Sequence, residues 1–124
     1  MFRLIELVRF MRAEFPELNI YPIEYPVDAP ESSVLIDVRS NNSATAGLYG
    51  VNVQFKVRDT PPSKAEETSY RIKKFLEQKT NFQIDTVQVV LVQSTNPVPL
   101  YVGRDTTGLY LFSNNFKFTL NEVE

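Results

Sequence analysis

"YGVNVQFKVRD", residues 49–59, is the stretch whose reading decides the fold. Val51, Val53, Phe55 and Val57 alternate in it with Asn52, Gln54, Lys56 and Arg58. Successive side chains of a strand point to opposite sides, so this period of two gathers the apolar residues on one face and the polar residues on the other. Such a strand packs on one side only. Its polar face meets water or another chain, which makes Asn52, Gln54, Lys56 and Arg58 the first candidates for an interaction surface.

Working outward, "SSVLIDVRS" (32–40) sets Val34, Ile36 and Val38 on one face, and the small-residue loop "NNSATAG" (41–47) joins it to the first stretch as a hairpin. At Thr60 the pattern changes. "TPPSKAEE" (60–67) places proline at early helical positions, where its missing N–H costs nothing. Ser63 with Glu66 three residues on reads as a capping box. Ala65, Ser69, Ile72 and Phe75/Leu76 form the buried stripe of a helix running to about Lys79. "FQIDTVQVVLVQS" (82–94) then reads as one long strand, with Val87, Val89 and Leu91 on one face and Val90 and Val92 on the other. Being apolar on both faces, it is expected to be central or to lie against a second layer. In "GLYLFSNNFKFTL" (108–120), Leu109 and Leu111 differ in parity from Phe116, Phe118 and Leu120, which predicts a bulge or bend near Ser113-Asn114-Asn115.

At the other end, Leu4, Val8, Met11 and Phe15 make one apolar stripe on an N-terminal helix that stops near Pro16. "LNIYPIEY" (18–25) follows as an extended piece, kept at a sheet edge by Pro22 and Pro26, which cannot donate to a ladder. The order is α-β-β-β-α-β-β, with no internal repeat and no linker. Residues 1–124 are therefore read as a single α+β domain with a largely antiparallel sheet and two helices.

Composition narrows the chemistry. Without cysteine the chain has no disulfide, no thiol nucleophile and no cysteine-based metal site. Without histidine it lacks the commonest general base and the commonest metal ligand. Triads that need histidine and nearly every zinc site are excluded, and no enzyme activity, cofactor or metal is expected. Asp37, Asp59, Asp85 and Asp105 are single acids on different elements, without the spacing of a calcium loop. A formal charge of −2 leaves no basic field that calls for nucleic acid. In "MFRLIELVRF" (1–10), Arg3, Glu6 and Arg9 break the apolar run, so neither a signal peptide nor a membrane span is expected. That points to the cell interior, or to something assembled there.

"PLYVGRDTTGLYLF" (99–112) invites a sharper reading. Gly103 and Gly108 have the spacing of a phosphate loop, but Leu109 and Tyr110 follow where lysine and a hydroxyl residue are needed. Asp105 is one carboxylate where an aspartic-protease site needs two sharing a proton. The stretch reads as a connection whose tip uses Gly108, and Gly103, for backbone freedom. "NPVPLYVGRDTTG" (96–108) is then a long irregular link presenting Leu100 and Tyr101, and long ordered loops with apolar residues often bind something. On the second helix, Arg71-Ile72-Lys73-Lys74 is basic but flanked by Glu66, Glu67 and Glu77. It is either a solvated face or, through Arg71 and Lys74, an ion-pair surface between subunits.

This set of elements, closing with "VPLYVGRDTTGLYLFSNNFKFTL" (98–120) and its Gly103-Arg104-Asp105 turn, resembles the small tail terminator proteins of long-tailed phages and prophages, also called minor capsid or tail completion proteins. The likeness spans nearly the whole chain and rests on element order and length. It implies a structural virion protein that forms a homo-oligomeric ring, a hexamer. The ring caps the tail tube protein, ends tail polymerisation and docks onto a head-completion or neck protein. DNA passes through without specific binding, and no membrane is involved. The implied place is the head–tail interface of the virion, after assembly in the host cytoplasm. Interface candidates are then Asn52, Gln54, Lys56, Arg58, Arg71, Lys74, Leu100, Tyr101, Arg104 and Asp105, with loops 41–47 and 100–107. The alternatives are another head–tail connector, or a small α+β nucleic-acid-binding module, against which the sequence pI of about 5.2 argues.

Overall fold

The computed structural model describes residues 2–43 and 47–122. Helix α1 (Leu4–Glu14) is followed by strands β1 (Ile20–Pro22), β2 (Ser33–Ser43) and β3 (Leu48–Asp59), then helix α2 (Pro62–Leu76). Strands β4 (Thr80–Ile84), β5 (Val87–Ser94), β6 (Leu100–Arg104) and β7 (Tyr110–Glu122) complete the chain. The α+β class, the mostly antiparallel sheet and the α-β-β-β-α-β-β order hold, with each of the last two β segments folded as a hairpin.

Four local expectations change. The apolar run 82–94 is not one strand, because Asp85 takes φ 56° and turns the chain between β4 and β5. Aspartate tolerates this left-handed region better than most residues, and without glycine the turn left little mark on the pattern. A register shift between Val89 and Leu91 then puts Val92 on the same buried side as Val87 and Val89. The link before Gly103 is not irregular, since Leu100–Arg104 pairs with β7. No bulge interrupts β7 against β3, whose register runs unbroken from Leu48↔Asn121 to Asp59↔Tyr110. Instead Asn114 occupies a core-facing position between Phe112 and Phe116, and its Nδ2 donates to the carbonyl of Ser69 at 2.8 Å. One polar residue in an apolar row produced the apparent change of parity.

Three smaller corrections concern ends. Pro61 is the N-cap of α2 and Ser63 lies inside its first turn, so no side chain caps the helix. The helix stops at Leu76, before a residue of positive φ, Gln78. Of the loop 41–47, Asn41–Ser43 continue β2, and residues 44–46 lie outside the described residues.

The sheet order is β1-β2-β3-β7-β5-β4, with β6 on β7. Among the described residues only β1 pairs parallel; it forms the margin that Pro22 suits. β3 flanks β7 along its length on one side. The other side is shared, Ser94–Val87 of β5 covering Phe116–Glu122 and β6 covering Tyr110–Ser113. The sheet curls around the helices until α1 touches both of its ends. Arg12 donates to the carbonyl of Ile20 in β1 at 2.9 Å, while Phe10 stacks on Phe82 of β4 with centroids 5.3 Å apart. Leu7, Val8 and Met11 of α1 and Ala65, Ile72 and Leu76 of α2 fill the concave side against Val53, Phe55, Val89, Phe116, Phe118 and Leu120.

Phe55 and Phe116 meet edge to face in this core, centroids 5.5 Å apart. Phe116→Ala is expected to cost about 3–5 kcal/mol in denaturant unfolding. Lys117→Ala, one residue on and facing the convex side, is expected to change stability by less than about 0.5 kcal/mol.

Candidate interaction surface

Asn52, Gln54, Lys56 and Arg58 emerge together on the convex face of β3, beside Lys117, Asn115, Ser113 and Leu111 of β7. Two are tied across strands. Asn52 Nδ2 donates to Ser40 Oγ and Gln54 Nε2 to Ser113 Oγ, each at 2.8 Å. Arg58 serves the fold more deeply, with only 13% of its side chain exposed. Its guanidinium lies 3.9 Å from the ring centre of Tyr25, donates to the carbonyl of Pro30 at 2.9 Å and stands 3.8 Å from Asp105. Tyr25 in turn donates its hydroxyl to the carbonyl of Lys56, and burial pushes its phenol well above the ordinary range against the pull of Arg58. Arg58 therefore clamps residues 23–32, a strap across the sheet margin, to the sheet and to the β6–β7 turn. Alternation in the sequence put Arg58 on the right face but carried no sign of this clamp, or of Tyr25.

The stretch 99–112 is a hairpin. Asp105 organises its tip: Oδ1 accepts from the Thr107 amide at 2.9 Å, the Thr107 hydroxyl at 2.7 Å and the Leu109 amide at 2.9 Å. Gly108 takes φ 87°, a conformation that favours glycine. Desolvation opposes the Asp105 charge, but the bonds from Thr107 and Leu109, with Arg58 nearby, hold its carboxyl below the usual aspartate value. Arg104 Nε donates to the carbonyl of Gly108 at 3.2 Å, and its guanidinium lies over the Tyr110 ring.

β6 itself is the unusual feature. Leu100 and Tyr101 are 47% and 54% exposed, as are neighbouring Val98 and Val102 at 49% and 51%. The sequence reading found the first two and missed the valines; the run "VPLYV" with β-branched residues was the available strand signal. It also missed Asn96, a buried residue that closes the gap between β5 and β6 along β7. Asn96 Oδ1 accepts from the Asn115 amide at 2.9 Å, and the Thr95 amide donates to the Asn115 carbonyl at 2.9 Å.

The α2 candidates lie apart from this face. Arg71 bonds to Glu17 and sits over the Phe15 ring, Lys73 is buried and paired with Glu77 at 2.9 Å, and Lys74 is exposed. Three of the four single acids have local partners, Asp105 as described. Asp37 lies 3.5 Å from Arg39, and Asp59 accepts from the Ser32 hydroxyl at 2.9 Å and the Thr60 amide at 2.7 Å.

Because the Asp105 carboxyl is held low in the folded state, its contribution is complete above the ordinary value of 3.8 and is lost as pH falls through its lower folded value. Amide exchange at Thr107 and Leu109, followed by NMR and expressed relative to the free-peptide rate at each pH, is expected to stay slow at pH 5 and to quicken only in that acid range. Asp105→Ala is expected to quicken it at neutral pH. Asn96→Ala strands the Asn115 amide, with an expected loss of about 1–3 kcal/mol in thermal unfolding and faster exchange along β6.

Residues 14–122 match the protein family described as bacteriophage tail terminator protein. The match begins at the last residue of α1 and takes in α2 and every strand. No curated protein matches the chain. Among the described residues no helix is long and apolar enough to cross a membrane. With most of its length matched, the chain belongs to the bacteriophage tail terminator protein family.

Proposed function

We propose that this chain closes the end of a phage tail tube as a ring of six copies, ends tube growth there, and offers its far side to a head-completion protein. The family match over residues 14–122 carries the reading: a tail terminator is a structural protein of the phage tail. The surface supports it. β6 presents apolar side chains to solvent, and the convex face presents amides and lysines.

A ring needs a heterologous contact, in which two different patches of each copy meet and closure stops further addition. Leu100, Tyr101 and Arg104 on the hairpin supply one set of contacts. Asn52, Gln54 and Lys56 on the convex face, with Arg71 and Lys74 on α2, supply surfaces toward a neighbour, the tube or the neck. Arg58 and Asp105 act there by holding the shape of the strap and the turn. DNA passes through the ring, and a chain of formal charge −2 lacks the overall basic field that would retain it by counterion release. The place of action is the head–tail interface, reached after assembly in the host cytoplasm.

Light scattering across a concentration series is expected to find a species near six times 14.3 kDa, alone or after addition of tail tubes. Tubes assembled with the chain are expected to stop at a set length in electron micrographs and to run on without it. Tubes that grow alike in both cases, or a closed species of another size, overturn the reading.

A further inference from the structure

We propose that the outer edge of β6 accepts a second copy of this chain by strand addition, the incoming strand being the free half of β2, Asp37–Asn42. The proposal rests on the ring reading and names the contact that builds the ring.

Unpaired edges invite other chains, and proteins usually guard them with charge, proline, a bulge or a covering element. Most edges here are guarded. β1 has three residues and ends at Pro22. β4 lies under α1, with Phe10 stacked on Phe82 and the Lys79 ammonium over the rings of Phe75 and Phe82. β6 has a bulge between Tyr101 and Gly103, yet its side chains are the largest exposed apolar run among the described residues. One edge of it pairs with β7, and the other has no backbone partner among the described residues.

The same sheet offers a complementary edge. β1 covers β2 only at Val34–Ile36, and from Asp37 to Asn42 the pairing of β2 is with β3 alone, with one register shift between Val38 and Ser40 as in β6. This half carries an exposed apolar residue, Val38. Asp37 there has one carboxylate oxygen, Oδ1, that is buried and accepts no hydrogen bond, while its Oδ2 lies 3.5 Å from Arg39. Arg104, at the end of β6, donates Nε to Gly108 and keeps guanidinium donors to spare.

Strand sense fits as well. β2 and β7 are each antiparallel to β3, and β6 is antiparallel to β7, so β6 of one copy meets β2 of a like-oriented neighbour antiparallel. In that sense the end of β6 lies beside the start of the free β2 edge, bringing Arg104 to Asp37 and Leu100 toward Asn41. β3 and β7 separate the two edges, so each copy can give one and receive the other at the same time. The contact is heterologous and repeats head to tail, which identifies the occupant as a second copy of this chain.

The chain has no cysteine, which allows a clean trap. Opposed strand residues lie about 4.5–5.5 Å apart at Cα, within disulfide reach. Arg104→Cys combined with Asp37→Cys, and Arg104→Cys combined with Arg39→Cys for the adjacent register, are oxidised with copper phenanthroline and run on a non-reducing gel. A ladder of linked copies is expected from at least one pair, and nothing above dimer from any single variant. Adding Leu100→Lys and Val102→Lys, with circular dichroism as the folding check, is expected to reduce the ladder at least tenfold. Folded double variants that give no ladder, or a ladder that the lysines leave intact, overturn the proposal. Light scattering of the unaltered chain separates the two ideas. A six-copy mass without a ladder removes this contact and leaves the ring; a ladder on open-ended chains keeps the contact and removes the six-fold ring.

Discussion

Hydrogen bonding along both edges of β7 is the constraint on which the rest of the structure depends. A strand of thirteen residues in the middle of a sheet exposes a row of donors and acceptors on each side, and leaving them buried without partners is costly. β3 answers one side from Tyr110 to Asn121. Neither β5 nor β6 is long enough for the other, so they divide it, and Asn96 with the Thr95 amide supplies the bonds at the join. This division sends β6 out beyond β5 and gives the hairpin its separate place on the surface.

The second consequence is curvature. Three of the strands carry register shifts, in β2, β5 and β6, while β3 and β7 pair without one. Such shifts bend a sheet and increase its twist. The bend brings β1 and β4 to the same helix, and α1 holds them through Arg12 on one side and Phe10 on the other. A concave side packed with Phe, Leu, Ile and Val then faces inward, leaving an outer side of amides, hydroxyls and a few cations. The face available for assembly follows from the way the core closes.

Within that outer side, residues of similar chemistry have different work. Asn52 and Gln54 brace neighbouring strands while remaining near solvent. Arg58 joins the strap at Tyr25 and Pro30 to the hairpin at Asp105, so the strap and the hairpin share one cation. A surface held in this way is preorganised, and preorganisation lowers the entropy that assembly must overcome. For a protein whose family acts in the phage tail, a rigid face and an open apolar strand are a coherent pair.

Much of this was legible from residues alone. The alternation in 49–59 identified the strand, its buried side and the convex candidates, because side-chain direction in a strand depends only on position. The absence of cysteine and histidine limited the chemistry, and the helix stripes were plain at i, i+4 and i+7. Leu100 and Tyr101 stood out as apolar residues near prolines and glycines. Other features needed the tertiary structure. The turn at Asp85 has no glycine to announce it, and Asn114 broke the apolar row of a strand that is in fact continuous. That Arg58 is a clamp and Arg104 still has donors free depends on Tyr25, Pro30, Asp105 and Gly108, residues distant or differently placed along the chain. Local periodicity determines which way a side chain points; what it meets there is decided by segments that only folding brings together.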